Sequence, residues 1–579
     1  MTPKAGEVLV RMYGQGVGDC FLLAFPRAGA RRAARKTAGT KTAAKSAAKT
    51  AARPVYVVID CGVIGPTPKG AERMRTIVGD IRDSTGGRVD LLVLTHEHMD
   101  HVSGFLENQA LDIWQNEIEV GAMWLAWTEK KDGGLPDALR SLKERQRLAL
   151  AQVADTAVRY GLEDRHETTL SLMGFLAAGE VDAGGPGGPG FGFKFYKTVR
   201  EAWNAAQKLA PEGGVTYCEP GDVRRVPGTD AVAYVLGPPR DSSFLSRLDP
   251  DERGDEAYPD RALAPSLERM AAGRSGFNTV AGALLAAALP LERRGQEQAD
   301  RAKTLPRHDL GDELDAEREL ANEAAPFDRG FRVPPATAEA AATGAPETYR
   351  SFASYHDETN HWRRIDFDWL GSAESFAFQA DNLTNNTSLV LAFELPAKAG
   401  ARAGAERKVL LFTGDAQVGN ILSWDTIDEW RPEAGTDPSQ ERPDIDELLQ
   451  RVAFYKVGHH GSHNATLKER GVDRMGKKGK LTAFVPSSAI VARRIMGFCH
   501  MPLRPLMEAL DDRTDGRVVF PNGNVWPLPK QAAEIARRRR TARVTISNVE
   551  LPAVEKNVDG AMEEIEGTVP LWVQVAIGY

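Results

Sequence analysis

The stretch THEHMDH, residues 95–101, decides how the rest of the chain is interpreted. It directly follows the apolar run 89–94, which has the length and composition of a buried strand, so the motif is expected in the loop at the carboxyl end of that strand. Neutral imidazoles and ionised carboxylates are the ligands that zinc and related divalent cations prefer. The spacing His-x-His-x-Asp-His offers two pairs of such ligands, and it predicts a site for two metal ions built on His96, His98, Asp100 and His101.

The histidines of the chain are concentrated in this motif and in two later stretches. Seven of the 11 His residues lie in segments 96–101 and 459–463 or at position 500. The alternative interpretation is that these are ordinary surface histidines in polar loops. Such a concentration is difficult to explain without a shared task, and we therefore interpret all three stretches as parts of one site.

Further polar residues follow strand-like runs and are expected at the same edge of the sheet. Asp415 follows the apolar run 409–412, and His460 follows the run 454–457. Asp415 is placed to bridge two ions, and a water shared by two divalent cations about 3.5–4 Å apart loses a proton near neutral pH. The expected chemistry is hydrolysis without a protein nucleophile. The complete predicted ligand set is His96, His98, Asp100, His101, Asp415, His460 and His500.

Other residues of these stretches have supporting roles in this interpretation. Ligand imidazoles generally donate their second N–H to a carboxylate, and Asp19 and Asp60 lie at neighbouring strand ends either to accept such bonds or to form the turns there. His459 and His463 flank a ligand and are candidates, with Asp100, for catalytic proton transfer. The polar residues at 385–388 precede a strand-like run, and they either contact the substrate or only cap the loop. The candidate substrate contacts are Asn385, Asn386, Ser388 and Ser462.

The composition is that of a soluble globular protein, with 42% hydrophobic and 26% charged residues among 579. A formal net charge of −7 does not indicate a nucleic-acid or membrane partner for the chain as a whole. The start of the chain has no apolar signal region, and the longest apolar stretch, 280–291, is too short to cross a bilayer. We expect a cytoplasmic protein without membrane contact. Neither a disulfide framework nor a thiolate zinc site is indicated by the spacing of Cys20, Cys61, Cys218 and Cys499.

The spacing of the motifs predicts one main domain. Because parts of one site lie far apart in the chain, residues 1–520 are expected to form a single domain, followed by a C-terminal extension at 521–579. Alternating strand-like and helical segments predict an α/β fold with a mixed sheet covered by helices. Low-complexity, helical or irregular insertions are predicted at 28–54, 131–215 and 240–370.

The first insertion contains a basic tract. Residues 31–53 include eight Lys or Arg residues and no acidic residue. The lysines recur every four residues from Lys41 to Lys49, so the tract could form a one-sided basic helix against a polyanion such as nucleic acid. The other interpretation is a solvated insertion that has no partner. The sequence leaves both interpretations open.

The motifs together resemble a known family. The His-x-His-x-Asp-His motif, with Asp60-Cys61-Gly62 before it and Thr413-Gly414-Asp415 after it, resembles the metallo-β-lactamase superfamily of metallohydrolases. A closer likeness, over about half of the chain in separate pieces, is to the hydrolase domain of ComEC-type competence proteins. The stretches that carry this likeness are Gly14-Gln15-Gly16 with Gly18-Asp19, Asn386-Thr387-Ser388-Leu389-Val390-Leu391, Gly458-His459-His460-Gly461-Ser462 and a His-Pro pair that opens a helix.

The resemblance implies an αββα sandwich, typical of metallo-β-lactamase-like proteins, with two divalent metal ions at one edge. Zinc is the expected metal, and manganese is the alternative. The family pattern assigns one ion to His96, His98 and His460. It assigns the other ion to Asp100, His101 and His500, with Asp415 between the two ions.

Three departures separate this chain from the usual family pattern. Asn385 and Asn386 stand where most members have a histidine between the first cluster and the bridging aspartate, and His460 is taken to replace it. The closing pair reads His500-Met501-Pro502, which is one residue longer than His-Pro. Val17 interrupts the usual Gly-Gln-Gly-Asp turn.

The expected function is that of a metal-dependent hydrolase, a phosphodiesterase or nuclease, that uses a hydroxide between two metal ions. One alternative is a hydrolase of small esters, lactones or nucleotides. The other is a non-catalytic binding module that keeps the same fold. The sequence does not indicate the oligomeric state.

Overall fold

The structure is a computed structural model that describes part of the chain. The described residues are 1–28, 53–64, 67–131, 133–141, 143, 191–245, 247, 381–397, 406–433, 442–462, 464–476, 479–494, 501–527, 532–558 and 561–579. Several sequence predictions lie outside them, namely the basic tract apart from its last residue, the insertion 240–370 beyond residue 247, His463 and His500. Residues 168–178, whose sequence favours a helix, and the strand-like run 376–379 also lie outside them.

Strands and helices alternate through the described residues, as the sequence predicts for an α/β protein. The strands are β1 (Glu7–Tyr13), β2 (Cys20–Phe25), β3 (Val55–Cys61), β4 (Arg88–Val89), β5 (Leu91–Val93), β6 (Glu119–Val120), β7 (Met123–Ala126), β8 (Val215–Cys218), β9 (Asp222–Arg225), β10 (Val232–Gly237), β11 (Val390–Glu394), β12 (Val409–Phe412), β13 (Arg431–Pro432), β14 (Val452–Lys456), β15 (Thr482–Phe484), β16 (Val518–Val519), β17 (Val544–Ile546), β18 (Glu550–Leu551), β19 (Val554–Val558), β20 (Ala561–Glu566), β21 (Val569–Pro570) and β22 (Trp572–Gly578). The helices are α1 (Gly70–Thr85), α2 (Met99–Val102), α3 (Leu111–Glu117), α4 (Phe191–Gln207), α5 (Ser242–Leu245), α6 (Val418–Ser423), α7 (Ile445–Gln450), α8 (Ala489–Arg494), α9 (Arg504–Thr514) and α10 (Ala532–Thr541).

Most strands belong to two mixed eight-stranded sheets. The first sheet has the order β17-β22-β1-β2-β3-β5-β7-β8, and the second has the order β13-β9-β10-β11-β12-β14-β15-β16. In each sheet the last four strands run parallel, β3-β5-β7-β8 in the first and β12-β14-β15-β16 in the second. The carboxyl ends of parallel strands meet at one edge, so each sheet has an edge where polar loop residues can gather.

The two sheets pack against each other through one hydrophobic cluster. Side chains alternate between the two faces of a strand, and in β1 Val8, Val10 and Met12 enter this cluster together with residues of the second sheet such as Phe412. The intervening residue Leu9 belongs instead to the cluster on the outer face of the first sheet. The interface contains edge-to-face aromatic pairs, because the ring centroids of Phe21 and Phe412 lie 5.5 Å apart at an interplanar angle of 82°.

Helices cover the outer face of each sheet. Ile77 of α1 and Trp203 of α4 are buried in the cluster on the outer face of the first sheet. Ile421 of α6, Leu448 of α7 and Leu506 of α9 occupy the same position on the second sheet. Each buried side chain of this size stabilises the fold by about 1.5–3 kcal/mol relative to an exposed one.

The segment predicted as a C-terminal extension contributes to the first sheet. β22 pairs with β1 along its whole length, from Glu7 opposite Gly578 to Tyr13 opposite Trp572, and β17 pairs with β22. Its alternating residues Val573, Val575 and Ile577 point into the cluster between the sheets. This alternation predicts a strand, but not its partner, because hydrophobic periodicity carries no information on pairing.

Two further predictions can be compared with the described residues. Among them, no helix is long and apolar enough to cross a membrane. Cys20, Cys61 and Cys218 are buried and carry free thiols, as the sequence predicts.

Candidate metal centre

The His-x-His-x-Asp-His loop begins where β5 ends and leads into α2. Its first residue, Thr95, is fixed by Asp60 near the end of β3: the Thr95 N–H donates to Asp60 Oδ1 at 2.8 Å, and the hydroxyl donates to Oδ2 at 2.7 Å. The backbone N–H of Asp19 donates to the carbonyl oxygen of Asp100 at 2.9 Å. The loop is therefore held by two neighbouring strand ends. Four of its side chains are at most 1% exposed, namely His96, His98, Asp100 and His101.

The second sheet brings Asp415 and His460 to this loop. Asp415 follows β12 and His460 follows β14, both at the edge where the parallel strands end. Asp415 Oδ2 lies 3.1 Å from His101 Nε2 and 3.2 Å from His460 Nε2. Asp100 Oδ2 lies 2.7 Å from His460 Nε2 and 3.6 Å from His101 Nε2. Two imidazole nitrogens and two carboxylates from different sheets thus converge on one point.

This buried group could hold a metal ion. One ligand atom from each of Asp19, His101, Asp415 and His460 lies within 4.8 Å of the others. The orientation of both rings fits coordination, because His101 Nδ1 lies 2.8 Å from Asp60 Oδ2 and His460 Nδ1 lies 3.1 Å from the carbonyl oxygen of Pro486. Each Nδ1–H donates away from the centre, so each Nε2 is the nitrogen that would bind a cation once its own proton is displaced.

A buried acceptor without a partner supports the same fit. Asp100 Oδ1 accepts no hydrogen bond from any described residue, although the side chain is 1% exposed. Buried carboxylate oxygens are usually hydrogen-bonded or bound to a cation. Nitrogen and oxygen ligands without thiolate are compatible with zinc and with manganese.

His96 and His98 form a second pair of ring nitrogens. His96 Nε2 lies 3.0 Å from His98 Nδ1. Thr95 uses its only hydroxyl proton on Asp60, so at 3.0 Å it can only accept a hydrogen bond from His96 Nδ1. His96 Nε2 is therefore unprotonated. On the far side of the His98 ring, Asp381 Oδ1 lies 3.8 Å from Nε2.

The charges of the centre favour ionised carboxylates. Burial alone would raise the pKa of Asp415, but Lys456, His460 and His101 hold it well below its usual value. Burial would also raise the pKa of Asp100, yet His101 and His460 lower it to about 2. Burial opposes the protonation of His460, whereas Asp415 and Asp100 raise its pKa to about 10. These carboxylates thus attract positive charge to the point where the imidazoles meet, and a divalent cation that displaces the protons would meet the same attraction.

The predicted catalytic residue His459 lies beside predicted substrate contacts. His459 Nδ1 is 2.8 Å from Ser462 Oγ, and His459 Nε2 is 3.3 Å from Asn385 Nδ2. Burial lowers the pKa of His459 to about 4, so the ring is neutral near pH 7. His459 and His460 both adopt left-handed backbone conformations, with φ of 41° and 54°. This unusual turn points neighbouring imidazoles in different directions.

The other predicted polar residues hold the loops of the centre. Ser388 Oγ accepts a hydrogen bond from the Asp415 N–H at 3.2 Å. The Asn386 side chain donates to the carbonyl oxygens of Leu245 and Arg247, each at 3.1 Å. Through these contacts Asn386 connects the 385–388 loop to the end of α5 and to Arg247 after it.

The grouping of ligands differs from the family pattern in one respect. The family pattern places His460 with His96 and His98, but its Nε2 lies next to Asp100 and Asp415. His500, the predicted partner of Asp100 and His101, and His463 lie outside the described residues.

Sequence reasoning missed two charged residues of the centre. Lys456 Nζ lies 2.9 Å from Asp415 Oδ1 and 2.6 Å from Asp19 Oδ2. A signal for it exists, because it is the one charged residue of the apolar strand β14, directly before the loop that carries His460. Asp381 lies 3.8 Å from both His98 Nε2 and His459 Nε2. No spacing rule connects Asp381 to the motifs, so the sequence gives no signal for it.

Replacing Asp60 by Asn is expected to weaken metal binding by about 10–100-fold, because the His101 N–H loses its charged acceptor and the ring loses its fixed orientation. The measurement is a competition titration of the protein against a chromogenic chelator. Asp80→Asn is a matched control, since Asp80 also accepts hydrogen bonds from buried groups, Arg11 and Tyr13, each at 2.7 Å, but belongs to a different cluster. Equal metal affinity of the Asp60 variant and the wild type would contradict the assigned role.

Comparison with protein-family models, with curated proteins and with solved structures finds no match to this chain.

Proposed function

We propose that the protein is a hydrolase of the metallo-β-lactamase type that uses two divalent metal ions, zinc or manganese, to cleave phosphodiesters. The observation that carries the proposal is the adjacency of two sets of buried ligand atoms. One set is the convergence of His101 Nε2 and His460 Nε2 on Asp415 Oδ2. The other is the close approach of His96 Nε2 and His98 Nδ1 at 3.0 Å.

The second set could hold a cation in place of a proton. His96 Nε2 is unprotonated because the ring proton is on Nδ1, which donates a hydrogen bond to the hydroxyl oxygen of Thr95. His98 Nδ1 can donate a hydrogen bond to His96 Nε2 at 3.0 Å. A cation that displaces the proton of His98 Nδ1 would meet two ring nitrogens with free lone pairs. The rings of His96 and His101 are also close, with centroids 4.1 Å apart, so the two ion positions would be neighbours.

The architecture supports the same proposal. Two mixed sheets pack face to face, helices cover their outer faces, and the ligands lie at the edge where the parallel strands end. This agrees with the αββα sandwich that the resemblance implies. The phosphodiester substrate rests on the likeness to ComEC-type hydrolase domains.

The residues of the chain have distinct roles in this proposal. His96, His98, Asp100, His101, Asp415 and His460 would hold the metal ions. Two divalent cations lower the pKa of a shared water and stabilise negative charge that develops on a substrate oxygen. His459 is neutral, so it would first accept the proton that the attacking water loses and then pass it to the leaving oxygen; Ser462 and Asn385 orient its ring.

An activity screen tests the proposal. The substrates are single- and double-stranded DNA, RNA, cyclic nucleotides, a chromogenic phosphodiester, a carboxylic ester and a lactone, each with Mn²⁺, with Zn²⁺ and with chelator. Chelator-sensitive cleavage of a phosphodiester is the expected result. Cleavage of only the ester or the lactone would show that the substrates are carboxylic esters or lactones and not phosphodiesters. Purified protein that binds no metal would instead favour the non-catalytic binding module.

The nucleic-acid arm of the screen also addresses the basic tract. Deletion of residues 28–53 is expected to weaken DNA binding and to reduce its salt dependence if the tract contacts phosphates. Unchanged affinity and unchanged salt dependence would show that the tract has no part in binding nucleic acid.

A further inference from the structure

Lys456 is a buried ammonium group within the candidate metal centre. Its side chain is 1% exposed. Nζ donates to Asp19 Oδ2 at 2.6 Å, to Asp415 Oδ1 at 2.9 Å and to the carbonyl oxygen of Gly414 at 2.6 Å. An ammonium has three protons, so all of its donors are used. Such a lysine has no proton left for a substrate, and it acts on the centre only through its partners.

The first partner is Asp415. Lys456 holds Oδ1, whereas Oδ2 faces His101 Nε2 at 3.1 Å and His460 Nε2 at 3.2 Å. The two oxygens of this carboxylate therefore have different tasks. Only Oδ2 is available to a cation, so Asp415 would bind through one oxygen.

The second partner is Asp19, which belongs to the group of possible ligands by distance and whose Oδ1 has no hydrogen-bond partner among the described residues. Its Oδ2 is paired with Lys456. Its contacts with the imidazoles are to the nitrogens that point away from the centre, since Oδ2 lies 3.9 Å from His101 Nδ1 and Oδ1 lies 3.8 Å from His460 Nδ1. Asp19 thus lies behind the rings, on the side where Asp60 and Pro486 already accept their protons.

We propose that Lys456 is a positioning residue that withholds Asp19 from the metal ions and limits Asp415 to one coordinating oxygen, and that it thereby sets the affinity and the metal selectivity of the centre. The inference rests on the proposed function in that it requires metal binding. With Lys456 in place, the ligand set around His101 and His460 is balanced between nitrogen and oxygen, which suits zinc. Without it, Asp415 Oδ1 and Asp19 Oδ2 would lose the group that holds them, and a change of side-chain rotamer could turn them toward the cation; oxygen-rich sites favour harder cations such as Mn²⁺.

The test measures Mn²⁺ and Zn²⁺ affinity of the metal-stripped full chain by competition titration. Lys456→Met removes the charge at similar side-chain length. It is expected to raise Mn²⁺ affinity by about tenfold or more, because a positive charge a few ångströms from the cation is removed. The ratio of Mn²⁺ to Zn²⁺ affinity is expected to rise as well. Lys208→Met is the control at an exposed site and is expected to change neither quantity.

The double variant K456M/D19N separates the two effects of the lysine. It removes one positive and one negative charge together, so the net charge of the centre is retained. Its Mn²⁺ affinity is expected to stay within a few-fold of the wild type, because Asp19 is not a ligand in the wild-type protein. It also keeps the test valid if Lys456→Met alone fails to fold, since it deprives only one buried carboxylate, Asp415, of the lysine instead of two.

Two results would overturn the inference. One is that folded Lys456→Met binds Mn²⁺ no more tightly than the wild type. The other is that K456M/D19N loses affinity about 100-fold, which would identify Asp19 as a metal ligand. Both are read from titrations without turnover, so they remain distinct from a failure of the proposed function, which would appear as metal binding without hydrolysis.

Discussion

Replacing Asp415 by Ala is expected to abolish metal-dependent hydrolysis and to leave the purified protein with much less bound metal. Asp415 Oδ2 is the carboxylate oxygen that faces both His101 and His460. Its removal takes away a shared ligand rather than a supporting contact, so the loss should exceed the 10–100-fold typical of outer-shell substitutions. The measurements are the cleavage rate of the substrate found in the screen and the metal content after gel filtration.

A matched control exists in the same part of the chain. Asp425 follows α6, is partly exposed and pairs with Arg474 at 2.7 Å. Asp425→Ala is expected to retain both metal and activity, because exposed ion pairs contribute at most about 1 kcal/mol. Cleavage at the wild-type rate by the Asp415 variant would refute the proposed function.

Replacing Gly62 by Ala is expected to reduce both stability and activity. A Cβ at this position would lie 2.5 Å from His101 N and 2.6 Å from Asp100 O. These are backbone atoms of the ligand loop, so they can yield only if the loop moves. Overpacking of this kind typically costs about 1–3 kcal/mol. The loss of stability is measured by urea unfolding and the displacement of the ligands by the metal titration.

Gly79→Ala serves as the control for this substitution. Gly79 lies within α1, and a Cβ there would have no neighbour within 4 Å. Alanine should stabilise the protein by about 0.4–1 kcal/mol through the entropy of the unfolded chain, without an effect on activity. If the Gly62→Ala variant has the same free energy of unfolding and the same metal affinity as the wild type, the close approach of residue 62 to the ligand loop has no function.

Local features of the fold could be predicted because they depend on residues that are close in sequence. The runs 20–25 and 409–412 are entirely apolar and bounded by polar residues, which predicts a strand over each run, and β2 and β12 have these limits. At 71–83 the apolar residues recur with the period of a helix, and this segment lies in α1. The sequence of 121–128 favours a strand of that length, but β7 ends at Ala126 because Trp127 begins a 3₁₀ helix, which an apolar run does not predict.

Features that depend on distant segments could not be predicted. The pairing of β22 with β1 and the contact of Lys456 with Asp19 both join residues hundreds of positions apart. The residues that surround His460 could not be predicted either. The motif identifies His460 as a ligand candidate, but the packing of the two sheets decides which ligands lie next to it. The candidate metal ligands could thus be predicted from the sequence, whereas the three-dimensional structure was needed to show which of them lie next to each other.

Because the candidate ligands come from both sheets, a bound metal ion would restrict the motion of one sheet relative to the other. His101 and Asp100 are carried by the first sheet, and Asp415 and His460 by the second, so sliding of one sheet across the other would pull the two pairs apart. A bound cation would link ligands of the two sheets, and its binding free energy would oppose that motion. Amide hydrogen exchange in β3 and β12 should therefore slow when metal is added, even though neither strand touches the ion along most of its length.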